Sequence, residues 1–185
     1  MKRILATLLL MVLLCGCTGG QNTMDKAMAL RAKILASSAE FDAKITADYT
    51  DRIYTFQMQC RLDTSGNVTF TVTQPEAIAG VTGNISAAGG KLTFGEEILA
   101  FPLLAEGQVS PVSAPWLLMK TLRSGFITSA GTVDGYTRLI VDDSFDSDPF
   151  TLHIFLDEAN SPTEAEIYWH NRRILTLSIC NFQML

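Results

Sequence analysis

Hydrophobic and polar positions alternate with a period of two over most of the chain. In FDAKITADY, Phe41, Ala43, Ile45, Ala47 and Tyr49 share one face, and Asp42, Lys44, Thr46 and Asp48 share the other. IYTFQMQCRLD repeats the pattern, with Tyr54, Phe56, Met58, Cys60 and Leu62 opposite Thr55, Gln57, Gln59 and Arg61. TSGN then makes a turn, and VTFTVT sets Val68, Phe70 and Val72 against threonines. Such alternation marks antiparallel sheet with one dry face and one wet face. Pro75 ends the third strand, and VTGNIS and KLTF give two shorter ones. Strands resume at FITSAG and continue through YTRLIVDD, FTLHIFLD, TEAEIYWH and RRILTLSICNF. Turn chemistry divides them at 133–135, 144–149, 158–162 and 170–171.

Two stretches break the alternation. In MDKAMALRAKILASS, Met24, Met28, Leu30, Ile34 and Leu35 fall near helical spacing, with charges in the other sectors. This predicts an amphipathic helix of about three turns. Packing of one face on a sheet is the plain reading. A membrane-surface helix is the alternative, against which the polar face is not strongly basic. Further on, Ile98 to Leu104 is a nearly continuous apolar run containing Pro102, and VSPVSAP is an irregular link. A second helix follows, capped by Ser113 or Ala114 and carrying Pro115 in its first turn, where proline is tolerated. Trp116, Leu117, Leu118, Met119 and Leu122 surround most of it, so it must be buried on several sides. Ser124-Gly125 ends it. No period of 20 to 50 residues recurs, which argues against a solenoid or propeller.

About ten or eleven strands cannot stay flat and bury one face unaided. The expected fold class is α+β, mostly β. It is a strongly curved antiparallel sheet or unclosed barrel, with the helices on its concave side.

The N-terminus carries a different signal. Lys2 and Arg3 precede an apolar run from Ile4 to Leu14, which is too short for a membrane span of about 20 residues. It suits the apolar core of a secretory signal peptide. Small Gly16 precedes Cys17, whereas Leu14 precedes Cys15, so Cys17 is the better mature N-terminus. Leu14-Cys15-Gly16-Cys17 resembles a bacterial lipobox, in which the cysteine thiol is diacylglycerated before cleavage. A secreted protein cut elsewhere, with Cys17 an ordinary thiol, is the alternative. The expected organisation is a lipoprotein signal peptide over 1–16, an acylated cysteine and short flexible tether over 17–23, and a single domain over 24–185. The protein would then be exported and lipid-anchored to the extracytoplasmic face of a bacterial membrane, its domain close to the surface. Each buried methylene of such an anchor adds about 0.8 kcal/mol of affinity.

Charge removes one class of partner. The chain has 14 Lys+Arg against 19 Asp+Glu, and losing Lys2 and Arg3 would make it more acidic still. An acidic surface does not suit nucleic acid, and it argues against an electrostatic grip on anionic lipid head groups. Catalytic signatures are also missing: there is no HExxH, CxxC pair, GxSxG or glycine-rich phosphate loop. His153 lies out of phase with Leu152 and Ile154 and reads as a sheet-face residue. His170 sits beside Asn171, Arg172 and Arg173, either at a solvated hairpin tip or in contact with a head group. DDSFDSD lacks the glycine and terminal glutamate of an EF-hand loop and reads as a solvated acidic turn. No loop tip stands out as apolar. Cys60 shares a face with Phe56 and Met58, whereas Cys180 lies opposite Leu177 and Ile179. Opposite faces of one sheet cannot be bridged, but a bulge near Cys180 would restore the match. The disulfide stays open.

GNVTFTVTQPEAIAG (66–80), GGKLTF (89–94) and LDEANSPTEAEIYWHNRRILTLSICNF resemble three hairpin elements of the LolA/LolB lipoprotein-carrier superfamily. These are its strand running into a proline, its next Gly-Lys-bearing strand, and its closing hairpin. The likeness extends over Met24 to Leu185 and carries no catalytic signature. It implies a helical lid over an apolar cavity that takes acyl chains. No gating residue transfers by position. Candidates for cavity or lid are Phe56, Met58, Phe70, Phe101, Leu103, Leu104, Trp116 and Met119; plain core packing requires the same residues. The expected protein is a monomeric, non-enzymatic lipoprotein with no cofactor or metal. It would bind a lipid or acylated ligand as carrier or sensor. The alternative is an envelope scaffold with a filled interior and a protein partner outside.

Overall fold

The structure, a computed structural model, describes residues 19–50, 52–102, 104–105 and 108–185. The expected signal peptide, the lipidation residue Cys17 and the candidate Leu103 lie outside the described residues.

The chain begins with helix α1 (Gly19–Ala36) and runs through six strands: β1 (Ala39–Asp48), β2 (Ile53–Leu62), β3 (Val68–Gln74), β4 (Thr82–Ser86), β5 (Gly89–Phe94) and β6 (Glu97–Phe101). A small hairpin, β7 (Leu104–Ala105) and β8 (Gln108–Val109), leads to helix α2 (Ala114–Ser124). Five strands complete it: β9 (Phe126–Val133), β10 (Tyr136–Asp142), β11 (Thr151–Leu156), β12 (Pro162–Trp169) and β13 (Arg172–Met184). Eleven of the strands form one sheet in the order β6-β5-β4-β3-β2-β1-β13-β12-β11-β10-β9. Two meanders therefore meet in the middle, where β1 pairs antiparallel with β13, Ala43 opposite Ile179 and Ala47 opposite Leu175. The edges β6 and β9 do not join, so the sheet is unclosed.

Its curvature follows from what α2 touches. That helix packs against β2, β13 and β10. In a flat sheet β2 and β10 would stand about 24 Å apart at about 4.8 Å per strand. An eleven-residue helix is only about 16 Å long. The sheet must curl around the helix to reach it from both sides. The period-two faces agree. Phe41, Ala43, Ile45, Met58, Leu62, Leu139 and Leu177 all belong to one core. So does Ile154, which pairs with Leu139 across β10 and β11 and is fully buried.

Helix α2 is buried nearly all round, from Ala114 and Pro115 to Met119, Thr121 and Leu122. Helix α1 buries a narrower stripe of Thr23, Ala27, Leu30 and Ile34. Met28 and Leu35, expected on that stripe, are about half exposed, because small Ala27 takes the contact position. The helix also starts at Gly19 rather than Met24, so 19–23 of the expected flexible tether is helical, with Thr23 already buried.

The two helices cap each other. From α1, Arg31 Nε donates to the Leu122 carbonyl at 2.8 Å and Nη2 to the Gly125 carbonyl at 2.7 Å. From α2, Arg123 Nη1 donates to the Ile34 carbonyl at 3.0 Å, and Nη2 to the Thr64 carbonyl at 2.9 Å. The last carbonyls of a helix have no partner within it and carry partial negative charge, so a guanidinium suits them. Gly125, expected as a C-terminal helix signal, is not in the left-handed region, with φ −67. Glycine is required there by close approach: a Cβ would stand 2.7 Å from the Thr121 carbonyl and from Val141 Cγ1. Cys60 and Cys180 are free thiols, one buried and one exposed. A bulge does occur near Cys180, at Asn181 (φ 54), but Cys180 pairs with Asp42 on the wet face. Burial pushes the Cys60 thiol up.

Replacing Arg31 by Ala removes two charge-assisted bonds and should lower unfolding free energy by about 2–3 kcal/mol. Arg31→Lys should recover only part of that, because an ammonium does not reproduce the planar fork. Urea denaturation of the three proteins measures both differences.

Candidate functional site

Helix α2 fills the middle of the buried face but not its end. Ala47, Tyr54 and Leu175 are cross-strand neighbours on that face. Beyond them opens a recess of about 700 Å³ at the mouth of the sheet. Three segments frame it. The β1–β2 connection supplies Asp48, Tyr49, Arg52 and Tyr54; the β12–β13 connection supplies Trp169, His170 and Arg172, with Ile174 and Leu175 behind; β8 supplies Val109.

Local chemistry fixes each rim. His170 and Asn171 have φ of 49 and 60, the pair of left-handed residues that a two-residue hairpin turn needs. His170 stacks on Trp169 with ring centroids 4.1 Å apart. Asp148, from the β10–β11 loop, accepts from Trp169 Nε1 at 3.2 Å and lies 2.9 Å from His170 Nε2. Opposite, the Thr50 amide donates to Asp48 Oδ1 at 2.8 Å. Arg172 Nη2 donates to the Asp48 carbonyl at 3.2 Å, tying the two rims together. Tyr49 and Tyr54 meet edge to face, centroids 6.0 Å apart. Burial, and then Tyr54, push the Tyr49 phenol up, so it stays a neutral hydroxyl.

A second hollow of about 150 Å³ lies against α2. Ser113, Trp116, Leu117 and Lys120, spaced along one helix face, form its wall, and Val109, Asp143 and Phe150 close it. Lys120 Nζ bonds Asp143 Oδ2 at 2.7 Å and lies 5.9 Å from the Trp116 ring centroid. The acidic β10–β11 loop is therefore a brace: Asp143 holds Lys120 and the Phe150 amide, and Asp148 holds the rim. Its tip, Phe145, is 85% exposed and rests against Phe126, an apolar tip that the acidic surroundings concealed in the sequence.

On the wet face, the His153 and Tyr168 rings meet at a tilt with centroids 4.5 Å apart, and Glu166 accepts from Tyr168 at 3.0 Å and from Arg173. Burial, partly offset by Glu166, pushes the His153 pKa down. This cluster borders neither the recess nor the hollow. Among the described residues no three His, Cys, Asp or Glu side chains gather to hold a metal. The lining of the recess combines aromatic and aliphatic walls with two guanidinium groups, the Asp48 carboxylate and the His170 imidazole.

No family model matches the chain, and no curated protein matches it. Among solved structures, it is similar to a LolA superfamily protein from Nitrosomonas europaea at 10% identity, covering 86% of this chain and 93% of that one, with a TM-score of 0.44. A DUF1329 family protein from Desulfovibrio piger matches at 8% identity over 91% of this chain and 94% of that one, with a TM-score of 0.44. A chain of the Clostridioides difficile CwlD amidase complex with the GerS lipoprotein matches at 10% identity over 80% and 86%, again with a TM-score of 0.44. The fold itself, an unclosed antiparallel sheet curled around a helix, rests on the topology described above.

The residues expected at a cavity or lid disperse. Phe56, Met58 and Met119 pack in the core and line neither hollow. Phe70 is core and backs a polar groove on the wet face. Phe101 is half-buried, its ring lying over Gly90. Trp116 lines the small hollow. Leu104 forms part of β7, with its side chain outside the description. Sequence reasoning missed Tyr49, Arg52, Tyr54, Val109, Trp169 and Ile174, while His170 and Arg172 belong to the turn for which a head-group contact was the alternative. The available signal was the aromatic residues at strand ends, flanking both turns.

Asp148→Ala should free the Trp169–His170 stack while changing stability by less than about 1 kcal/mol, since the pair is largely exposed. In a Trp116→Phe background, acrylamide should quench Trp169 more strongly in the Asp148→Ala protein.

Proposed function

We propose that this protein is an exported bacterial lipoprotein, anchored to a membrane through acylated Cys17, that binds a lipid or acylated ligand in the mouth recess. It acts as a carrier or sensor and catalyses no reaction on that ligand. The observation that carries this reading is the recess itself. Its volume of about 700 Å³ falls in the range of about 300–1,000 Å³ usual for ligand sites. Ile174, Leu175 and Val109 offer an apolar interior, while Arg52 and Arg172 outnumber the one carboxylate of the rim, Asp48, which lies 3.9 Å from Arg172. That polarity suits an amphiphile with an anionic head and an apolar tail.

One observation favours the scaffold reading. Helix α2 occupies the middle of the concave side, and the edge strand β6 leaves Ile98 and Leu99 exposed. An open apolar edge is a template for a partner's strand.

Native mass spectrometry of the full chain carrying Cys17→Ser, followed by solvent extraction, separates the two. The ligand reading expects an adduct of lipid mass, lost on extraction, and much reduced in Tyr54→Glu. A clean apo mass that persists after incubation with membrane phospholipids leaves only the scaffold.

A further inference from the structure

The sheet has two free edges, and they are guarded unequally. At β9, helix α1 packs against the strand, and a bulge interrupts its pairing with β10 between Ile140 and Val141. Covering helices, bulges, prolines and charges are the ordinary means of blunting an edge. β6 carries a single charge, Glu97 at its first position, and no proline. Its pairing with β5 runs without a bulge from Glu97 opposite Phe94 to Phe101 opposite Gly90. Among the described strands, β5 alone pairs with it. Ile98 is 69% exposed, and Leu99 and Phe94 are each 63% exposed.

The exposed side chains are arranged to meet a copy of themselves. Leu99 is the central residue of the strand Glu97–Phe101. Antiparallel pairing of two β6 strands about a two-fold axis at Leu99 sets Glu97 opposite Phe101 and Ile98 opposite Ala100, and it uses every residue of both strands. Cross-strand register carries Leu99 inward through Leu92 and Gly83 to Phe70 of the core. The axis therefore joins two such rows into one apolar ladder along the dry face, with the two Leu99 side chains at its centre. Each Glu97 faces Phe101 of the other copy, so no like charges oppose each other. A register centred on Ile98 would set Glu97 opposite Leu99, placing a carboxylate in the ladder and leaving Phe101 beyond the end of the other strand.

We infer that β6 is the interface of an isologous homodimer, in which two copies join edge to edge into one continuous antiparallel sheet. This names a second copy as the occupant of the open edge, departs from the monomer expected from the sequence, and does not depend on what the recess holds. Each copy offers one unguarded edge, so the assembly closes at two. A five-residue edge buries less than the about 800 Å² per partner of a standard interface, so the dimer is weak in free solution. The proposed Cys17 anchor would confine both copies to one membrane surface and raise their effective concentration.

Cysteine cross-linking reads the register directly. Residues directly opposite in an antiparallel pair have Cα atoms about 4.5–5.5 Å apart, within disulfide reach. The background is the full chain carrying Cys15→Ser, Cys17→Ser and Cys180→Ser; Cys60 is buried and stays. Leu99→Cys should form a disulfide-linked dimer under mild oxidation. Ile98→Cys alone should not, because its two copies would lie about 8 Å apart across the axis, but mixed with Ala100→Cys it should. Sedimentation velocity from low to high micromolar concentration should show a reversible dimer, lost in Leu99→Lys and restored when Leu99→Lys is mixed with Leu99→Glu. All these positions are exposed, and far-UV circular dichroism of each variant certifies its fold. Cross-linking of Leu99→Cys no faster than of Ile98→Cys alone overturns the inference, as does a dimer that Leu99→Lys leaves intact. A monomer at every concentration with no cross-link also overturns it, and leaves the recess reading untouched.

Discussion

The reciprocal capping of the two helices by Arg31 and Arg123 is the constraint on which the rest depends. An open sheet of eleven strands has one apolar face to hide and no second sheet to hide it against. Helix α2 covers that face, but an eleven-residue helix buried nearly all round leaves terminal carbonyls that need partners. Arg31 meets them from α1, and Arg123 answers at the end of α1. Each helix is thus a condition for the other's burial. The polar bonds set the position of α2, and hydrophobic burial supplies most of the free energy.

Where α2 stops determines where a ligand has room. The helix runs from near Val109 to the start of β9, so the middle of the concave face is solid and space remains toward the mouth. The mouth is assembled from hairpin ends remote in sequence. They become neighbours because β13, the last strand, pairs with β1, the first. The bond from Arg172 to the Asp48 carbonyl is the local expression of that closure. The site is built mainly on strand ends of the main sheet, and Val109 reaches it from β8, which lies outside that sheet.

The strands were legible because one buried face imposes a period of two, and β1, β3, β10 and β11 keep it most plainly. The buried helix was legible for the opposite reason, its lack of any polar face. β6 was obscure because its apolar residues are exposed at an edge, where burial imposes no pattern. Arg31 was read with the polar face of α1, since periodicity does not reveal a long side chain that turns inward to carbonyls. The recess was obscure too. Tyr54 and Tyr49 follow the apolar phase of their strands, and nothing local says that α2 fails to reach them. Cavities are differences between large filled volumes, and a sequence pattern records the filling.

Hydrogen–deuterium exchange with and without a single-chain anionic phospholipid tests most directly whether the mouth is where this protein holds its ligand. Slowed exchange concentrated at 48–54 and 169–175, with the β6 edge unchanged, is the result expected. Unchanged exchange at both hairpin ends in the presence of saturating lipid would contradict it.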